Sequence, residues 1–383
     1  LKNREFAAAR ERYEHALALD PQHAEAHRGL ALTLAALGDH AAASAHGREG
    51  FRDGAITMIP YRGEGTPVRV LLLVTASAGN VATERFLDDR TYAVAKLVVE
   101  YADLTQPLPA HDLVFNAVGD ADICGEALTA VEHILAHTSA PHLNRPEAVR
   151  ATTRAGNATR LGAIAGVVTP RVASLDRALL AGPEGPSALV NHGVSLPYLL
   201  RSPGFHTGEH FARVEDDAQL ANVVATLPGD ALLAIEFLDV RGNDGKVRKY
   251  RAMFIDGTIY PLHLAISTAW KVHYFSADMT QDANHRAEDE AFLRDMPSVL
   301  GPHAMEALAA IRDALGLDYG GIDFALNAAG DVVVFEANAT MIVPTPGADE
   351  RWAYRREPVA RIDAAVRTML FARVGTIAQS PHA

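Results

Sequence analysis

Asp323, Glu336 and Asn338 are the residues whose types and spacing point most directly to chemistry. Residues 321–325 and 332–337 read as two arms of a β-hairpin around Asn327-Ala-Ala-Gly330. With a two-residue loop at Ala329-Gly330, Asp323 lies directly opposite Glu336. Opposed side chains in a hairpin stand about 4.5–5.5 Å apart at Cβ. Two carboxylates that close repel unless a proton or a cation lies between them. Asn338, two residues beyond Glu336, falls on the same face by the strand period. An oxygen cluster open on one side is what Mg²⁺ takes when phosphates and water complete its octahedron. A three-residue loop ending at Gly330 would shift the register by one, and that alternative stays open here. So does the plainer one, in which both acids face solvent. Against it stand the apolar neighbours Ile322, Phe324, Val333, Val334 and Phe335, and the poor strand propensity of Asp, Glu and Asn.

Other chemistries lose support. The single cysteine, Cys124, excludes an intramolecular disulfide and a thiolate metal cluster. Seventeen histidines contain no HExxH, and His133 with His137 lacks a third ligand at useful spacing. Neither GxGxxG nor GxxxxGK[ST] occurs, and the glycine-led stretch ending at Lys246 continues with Val247. Lys+Arg 35 against Asp+Glu 47 gives −12, opposite to a nucleic-acid footprint. The apolar runs 70–74 and 163–168 are far short of the roughly 20 residues of a membrane span. No charged-then-apolar leader opens the chain, which sets a cytoplasmic expectation. The start at Leu1 without Met sets another, that residues precede it.

The elements that must position the acids follow from period and punctuation. Residues 1–50 are Ala-rich and read as helices over 7–19, around His27–Leu34, and over 41–51. Asp20-Pro21 and Gly38-Asp39 interrupt them. This segment resembles the tetratricopeptide repeat: Ala9, Tyr13, Ala16 and Pro21 match half of one unit, and Ala31, Leu34, Gly38 and Ala43 the next. Fewer than about three such units cannot bury their face alone, so the segment must pack on the rest of the chain, on a second copy or on further repeats upstream, and it is expected to dock a partner protein, a peptide or a second protomer. After the Gly/Pro linker 61–67, the run 68–74 leads into a small-residue turn, with strands at 93–100 and 113–118 and a helix over 123–137. That alternation suggests a small parallel sheet whose ligand edge is formed by 77–80 and 116–122. From about Asn144 the expected strands are 189–191, 198–201, 231–238, 249–255 and 258–264, with Asp256-Gly257 as a type I′ turn. Residues 303–315 form an amphipathic helix, and Val359, Ile362, Val366, Met369 and Leu370 a core-facing helical stripe.

The stretch Gly321-Ile-Asp323-Phe with Val334-Phe-Glu336-Ala-Asn338-Ala resembles the metal-binding end of the ATP-grasp fold. That superfamily includes glutathione synthetase, D-alanine–D-alanine ligase and ligases that add glutamate to a ribosomal protein. Further matches run upstream in order, so the resemblance covers roughly 68–372. It implies an α/β chain: a small parallel pre-ATP-grasp sheet over 66–147, then an ATP-grasp domain over 148–373 with an antiparallel lid at about 165–235. An α-helical repeat stub over 1–55 and a tail over 374–383 complete the division. By the same resemblance Asp323, Glu336 and Asn338 hold one or two Mg²⁺ ions, or Mn²⁺, against ATP. Leu232–Leu238 is similar to the hinge strand, placing adenine against Glu236, Phe237 and Leu238, with Glu236 or Asp239 on the ribose. Arg251 is placed at the γ-phosphate and the reacting carboxyl group. Arg201, Gly204 and Gly208 fall in the lid strand and its loop over the phosphates, and Arg154 at the α-phosphate. Lys271 is a further catalytic candidate, from its place between the arginine strand and the metal hairpin. The family usually has lysine where Arg201 stands, and arginine is bulkier and bidentate.

The function this implies is an ATP-dependent carboxylate–amine ligase, forming an amide through an acyl phosphate and releasing ADP and phosphate. Its partners are a small-molecule or peptide acid and an amine, with no nucleic acid and no membrane, and a homodimer is the base-rate assembly. Two alternatives stand beside it: a small-molecule phosphotransferase of the same fold, and a repeat-type protein-binding module with a vestigial ATP site.

Overall fold

The computed structural model describes residues 2–52, 54–203, 205, 209–272 and 277–378. The chain forms two compact units. The first takes Leu1–Val118, Cys124–His142 and the chain from Arg373; the second takes Gly119–Ile123 and Leu143–Ala372.

The first unit opens with α1 (Lys2–Leu19), α2 (Ala24–Ala36) and α3 (His40–Gly50). α2 packs on both α1 and α3. Their seam is Leu30, Leu34 and Ala43, with Tyr13 and Leu17 against it. Gly29 permits the α1–α2 approach, since a Cβ there would lie 2.3 Å from the Tyr13 ring. The Asp39 carboxylate accepts the Ala42 N–H and so caps α3. Next come β1 (Ile56–Ile59), β2 (Val68–Val74), β3 (Tyr92–Val98), β4 (Leu113–Asn116), α4 (Gly125–Leu135) and β5 (His142–Leu143). The sheet order is β1-β3-β2-β4-β5, with β2 parallel to β3 and β4. β2 is the unbroken apolar run, buried from Val70 to Val74 because both faces are covered. The edge strand β1 was not legible: all of Ile56–Ile59 is exposed, and it shows no alternation. The turn after β2 is stapled by its own side chains. Asn80 accepts the Thr75 N–H at 2.9 Å and donates to the Thr75 carbonyl at 2.9 Å.

The second unit contains α5 (Pro146–Arg150), α6 (Arg154–Leu161), β6 (Val167–Val168), β7 (Val172–Asp176), α7 (Arg177–Ala181) and α8 (Gly185–Asn191). It continues with β8 (Tyr198–Arg201), β9 (Phe211–Val214), α9 (Leu220–Thr226), β10 (Ala231–Glu236), β11 (Val247–Ile255) and β12 (Thr258–Ser267). α10 (Ala283–Arg294), α11 (Met296–Leu315), β13 (Tyr319–Leu326) and β14 (Val332–Asn338) follow, with α12 (Arg356–Ala378) as far as Ala372. The segment 189–191, expected as a strand, is instead the end of α8. Three residues are too few to separate a period of two from one of 3.6, whereas Pro186 in the first turn favours the helix. The stripe Val359, Ile362, Val366, Met369 and Leu370 is buried on α12, as its spacing requires.

Two sheets in this unit position the site. The first, β7-β10-β8-β9, is antiparallel. Tyr198, Leu200, Leu232 and Ala234 point into a core with Leu180, Leu189 and Leu220 of α7, α8 and α9. By alternation Leu199, Arg201 and Ile235 point the other way. The second sheet is β12-β11-β13-β14-β6, antiparallel except at β14/β6. Tyr250 meets Phe292 of α10 at 5.0 Å between ring centroids and Phe324 of β13 at 5.3 Å. Lys249 and Arg251, one residue to either side, therefore face away from those rings. The turn from β11 to β12 has φ 48° at Asp256 and 75° at Gly257, the left-handed pair of a type I′ turn.

Candidate active site

One row of side chains crosses the second sheet. His263 pairs with Arg251, Arg251 with Asp323, and Asp323 with Glu336, on β12, β11, β13 and β14 in turn. The acids therefore face each other, but not through a two-residue loop. Asn327 to Asp331 closes the hairpin, with Asn327 N–H donating to Asp331 O and Gly330 N–H to Asn327 O. Pairing then runs Leu326–Val332 to Phe324–Val334, one residue off the expected register. A bulge at Phe335, 39% exposed, adds the missing residue and restores Asp323 opposite Glu336.

Asp323 is 1% exposed and carries three charge-assisted bonds. Arg251 donates from Nε to Oδ1 at 2.5 Å and from Nη2 to Oδ2 at 2.8 Å. Lys249 Nζ lies 2.6 Å from Oδ2. Burial alone would raise this carboxyl; Arg251 first and Lys249 next outweigh it and hold the group ionised, well below the usual range. His263, buried beside Arg251, is pushed the opposite way. Burial first and the Arg251 charge second keep it neutral, far below the ordinary imidazole range.

Glu336 is tied on one oxygen. Arg154 donates Nη2 to Oε1 at 2.5 Å and Asn338 donates Nδ2 to Oε1 at 3.1 Å. Among the described residues both of its bonds fall on Oε1. Burial raises its carboxyl, but Arg154 and then Arg201 more than compensate and hold it down. Arg154, at the first turn of α6, is fixed from behind by Asp122, which also accepts its backbone N–H at 3.1 Å. Asn338 Oδ1 accepts from Thr340 N–H at 3.0 Å and Thr340 Oγ1–H at 3.1 Å.

These groups open on one cavity of about 380 Å³. That is the size of a small-molecule site. Arg154, Arg201, Arg251, Lys271, Glu236, Phe237, Leu238, Asp239, Asp323, Glu336 and Asn338, scattered over 185 positions of sequence (338 less 153), all line it. Gly204 and Gly208, the expected phosphate-loop glycines, lie outside the described residues. Arg201 donates to the Phe205 carbonyl and stands 5.7 Å from the Phe211 ring centroid. Lys271 Nζ donates to Phe211 O at 3.3 Å; burial, then Arg201, lower its pKa. The far wall is aromatic, with Trp270 edge-on to Phe211 at 5.5 Å and to Phe237 at 6.2 Å. Glu236 accepts the Arg171 N–H at 3.0 Å, and Asp239 accepts Arg241 Nε–H at 2.9 Å. Lys249, His263 and Trp270 were not site candidates from sequence, and Asp122 entered only as the end of the ligand edge 116–122. Lys249 was within reach, since two residues before Arg251 on a strand is the same face.

A divalent ion entering with a polyphosphate fits this donor set on one side. Among the described residues no cluster of three or more His, Cys, Asp or Glu could hold a resident metal. Mg²⁺ needs less when phosphates and water supply the other ligands, one or two carboxylates sufficing. Glu336 and Asn338 both line the cavity, and among the described residues the bonds of Glu336 fall on Oε1 and leave Oε2 for an ion.

No family model matches the chain, and no curated protein does either. Among solved structures it is similar to the VanG D-Ala:D-Ser ligase from Enterococcus faecalis, with TM-score 0.49 and 11% identity over 81% of this chain and 100% of that one. It is also similar to the RimK domain protein ATP-grasp from Sphaerobacter thermophilus, with TM-score 0.47 and 18% identity over 79% and 99%. A third is the D-alanine–D-alanine ligase from Bacillus anthracis complexed with ATP, with TM-score 0.48 and 14% identity over 82% and 100%.

Proposed function

We propose that this chain is an ATP-dependent carboxylate–amine ligase of the ATP-grasp type. One observation carries the proposal. Opposed Asp323 and Glu336 share a cavity wall with Arg154, Arg201, Lys249 and Arg251, beside a slot walled by Leu199, Ile235 and Phe237. Cations over a carboxylate pair suit a polyphosphate with its metal, and an apolar slot alongside suits a base. In this assignment residues 236–239 hold the adenosine end, Arg154 and Arg201 the phosphates, and Glu336 and Asn338 face Mg²⁺, with Asp323 opposite them under its own cations. When bound, the ion withdraws charge from the transferring phosphoryl group.

The chain's own part is electrostatic. Arg251 and Arg201 sit where negative charge grows as an acceptor carboxylate oxygen bonds to the γ-phosphorus and the bond to ADP breaks. An amine nitrogen then attacks the acyl carbon, loses a proton, and phosphate leaves. Lys271 lines the same cavity and can hold the acceptor's carboxylate. The Trp270 and Phe211 rings exclude water, which would otherwise hydrolyse the acyl phosphate. The substrates are accordingly a small-molecule or peptide acid and an amine. The division into 1–55, 66–147, 148–373 and a tail, and a repeat-like helical segment that docks a protein, peptide or second copy, belong to the same proposal.

Calorimetric titration with ATP and Mg²⁺ tests it. Saturable, Mg²⁺-dependent binding weakened at least tenfold by Glu336→Gln is expected. Absence of binding at millimolar ATP overturns the proposal, and a phosphoester in place of an amide among the products makes the enzyme a phosphotransferase.

A further inference from the structure

We propose that Lys249 is a built-in second cation of the phosphate site, so that nucleotide binds with one divalent ion and not two. This rests on the nucleotide assignment above. Asp323 Oδ2 takes Arg251 Nη2 at 2.8 Å and Lys249 Nζ at 2.6 Å. A carboxylate oxygen has two lone-pair sites, so these two donors fill Oδ2. Oδ1 holds Arg251 Nε at 2.5 Å, and the side chain is 1% exposed. A metal ion on Oδ2 would have to displace an ammonium in a region that already holds Arg251, Arg154 and Arg201.

The charge points the same way. Asp323 with Arg251 and Lys249 already sums to plus one, so this corner of the site carries no net negative charge of its own to draw a divalent ion. Glu336 is different. Its Oε1 is bonded to Arg154 and Asn338, and among the described residues nothing bonds Oε2. The metal-accepting side of the hairpin is therefore β14, and the β13 side is neutralised by protein. Lys249 is 17% exposed and lines the cavity, and an ammonium has three donors, so it keeps hydrogens for a phosphate oxygen. Its position follows from the fold: Lys249 and Arg251 are two apart on β11, which places both on the Asp323 face.

The test is ion stoichiometry. Full-length protein is titrated with Mn²⁺ in the presence of β,γ-methylene-ATP, with bound ions counted by electron paramagnetic resonance and analogue binding followed separately by calorimetry. Wild type and Lys249→Arg are expected to hold one Mn²⁺ per bound analogue. Lys249→Met, which frees one of the two acceptor positions on Oδ2, is expected to hold two, and Lys249→Gln serves if that variant does not fold. Two ions per analogue in wild type overturn the inference. So does a neutral variant that binds analogue and still counts one. If wild type binds no analogue, the nucleotide assignment itself falls, a distinguishable result because calorimetry reports it without reference to the ion count.

Discussion

A fully buried carboxylate is tolerated only when its charge is answered, and Asp323 is answered by Arg251 and Lys249 together. Replacing it by Asn leaves two cations over a neutral amide. Asp323→Asn should therefore destabilise the second unit by about 3–5 kcal/mol. Trp270 and Trp352, the chain's two tryptophans, both lie in that unit, so urea melts followed by their fluorescence read it selectively. The acid dependence has a defined sign. Asp323 is held below its unfolded value of about 3.9, so its contribution is present above that pH and fades as pH falls beneath it. Wild type should lose stability more steeply than Asp323→Asn below about pH 4, and parallel curves would contradict that. The meeting of Asp323 and Glu336 was legible as one of two registers, and it holds because a longer loop and the Phe335 bulge offset each other by one residue. Which cations answer them was not fixed by sequence: Lys249 shares the Arg251 face by the strand period, but its pairing with Asp323 over 74 residues and that of Arg154 with Glu336 over 182 (323 less 249; 336 less 154) come only from the folded chain.

Among the elements, the hairpin of β13 and β14 shows how a correct pairing can rest on a different turn. The closing loop is longer than two residues, and the bulge at Phe335 compensates by one. A bulge leaves no signature in a single run of apolar residues, so Val333-Val334-Phe335 read as regular strand. Long strands bounded by turn signals were legible, among them β2, β11 and β12, whereas the exposed β1 and the short α8 were not. β8 carries a prediction of its own. Tyr198 is 1% exposed, and among the described residues its hydroxyl has no hydrogen-bond partner. Burial pushes its pKa up to about 12. Tyr198→Phe removes an unsatisfied hydroxyl while keeping the ring, and should raise stability by about 1 kcal/mol in the same urea assay. The unfolded phenol ionises near pH 10, so wild type should also lose stability between about pH 10 and 12 by an amount the Phe variant does not. A loss of stability in Tyr198→Phe would mean that the hydroxyl is bonded in solution.

Across the whole molecule, the proposed nucleotide site belongs to one unit only. Every residue lining the cavity falls within 154–344, inside the second unit, while the helical segment and the small parallel sheet belong to the first. Each unit has a buried centre of its own: Leu30 and Leu71 in the first, Leu232 and Phe324 in the second. A chain built this way is not expected to melt as one cooperative block. Scanning calorimetry should therefore resolve two transitions, and tryptophan fluorescence should track just one of them. Binding stabilises only what it binds, by about 2.7 kcal/mol when free ligand is 100 times its dissociation constant. Adding β,γ-methylene-ATP with Mg²⁺ should accordingly move the transition that fluorescence reports and leave the other in place. The two arms separate cleanly. A shift of the fluorescence-silent transition would put the nucleotide in the first unit, against the cavity assignment. A single transition that moves as a whole would show the units to be thermodynamically coupled.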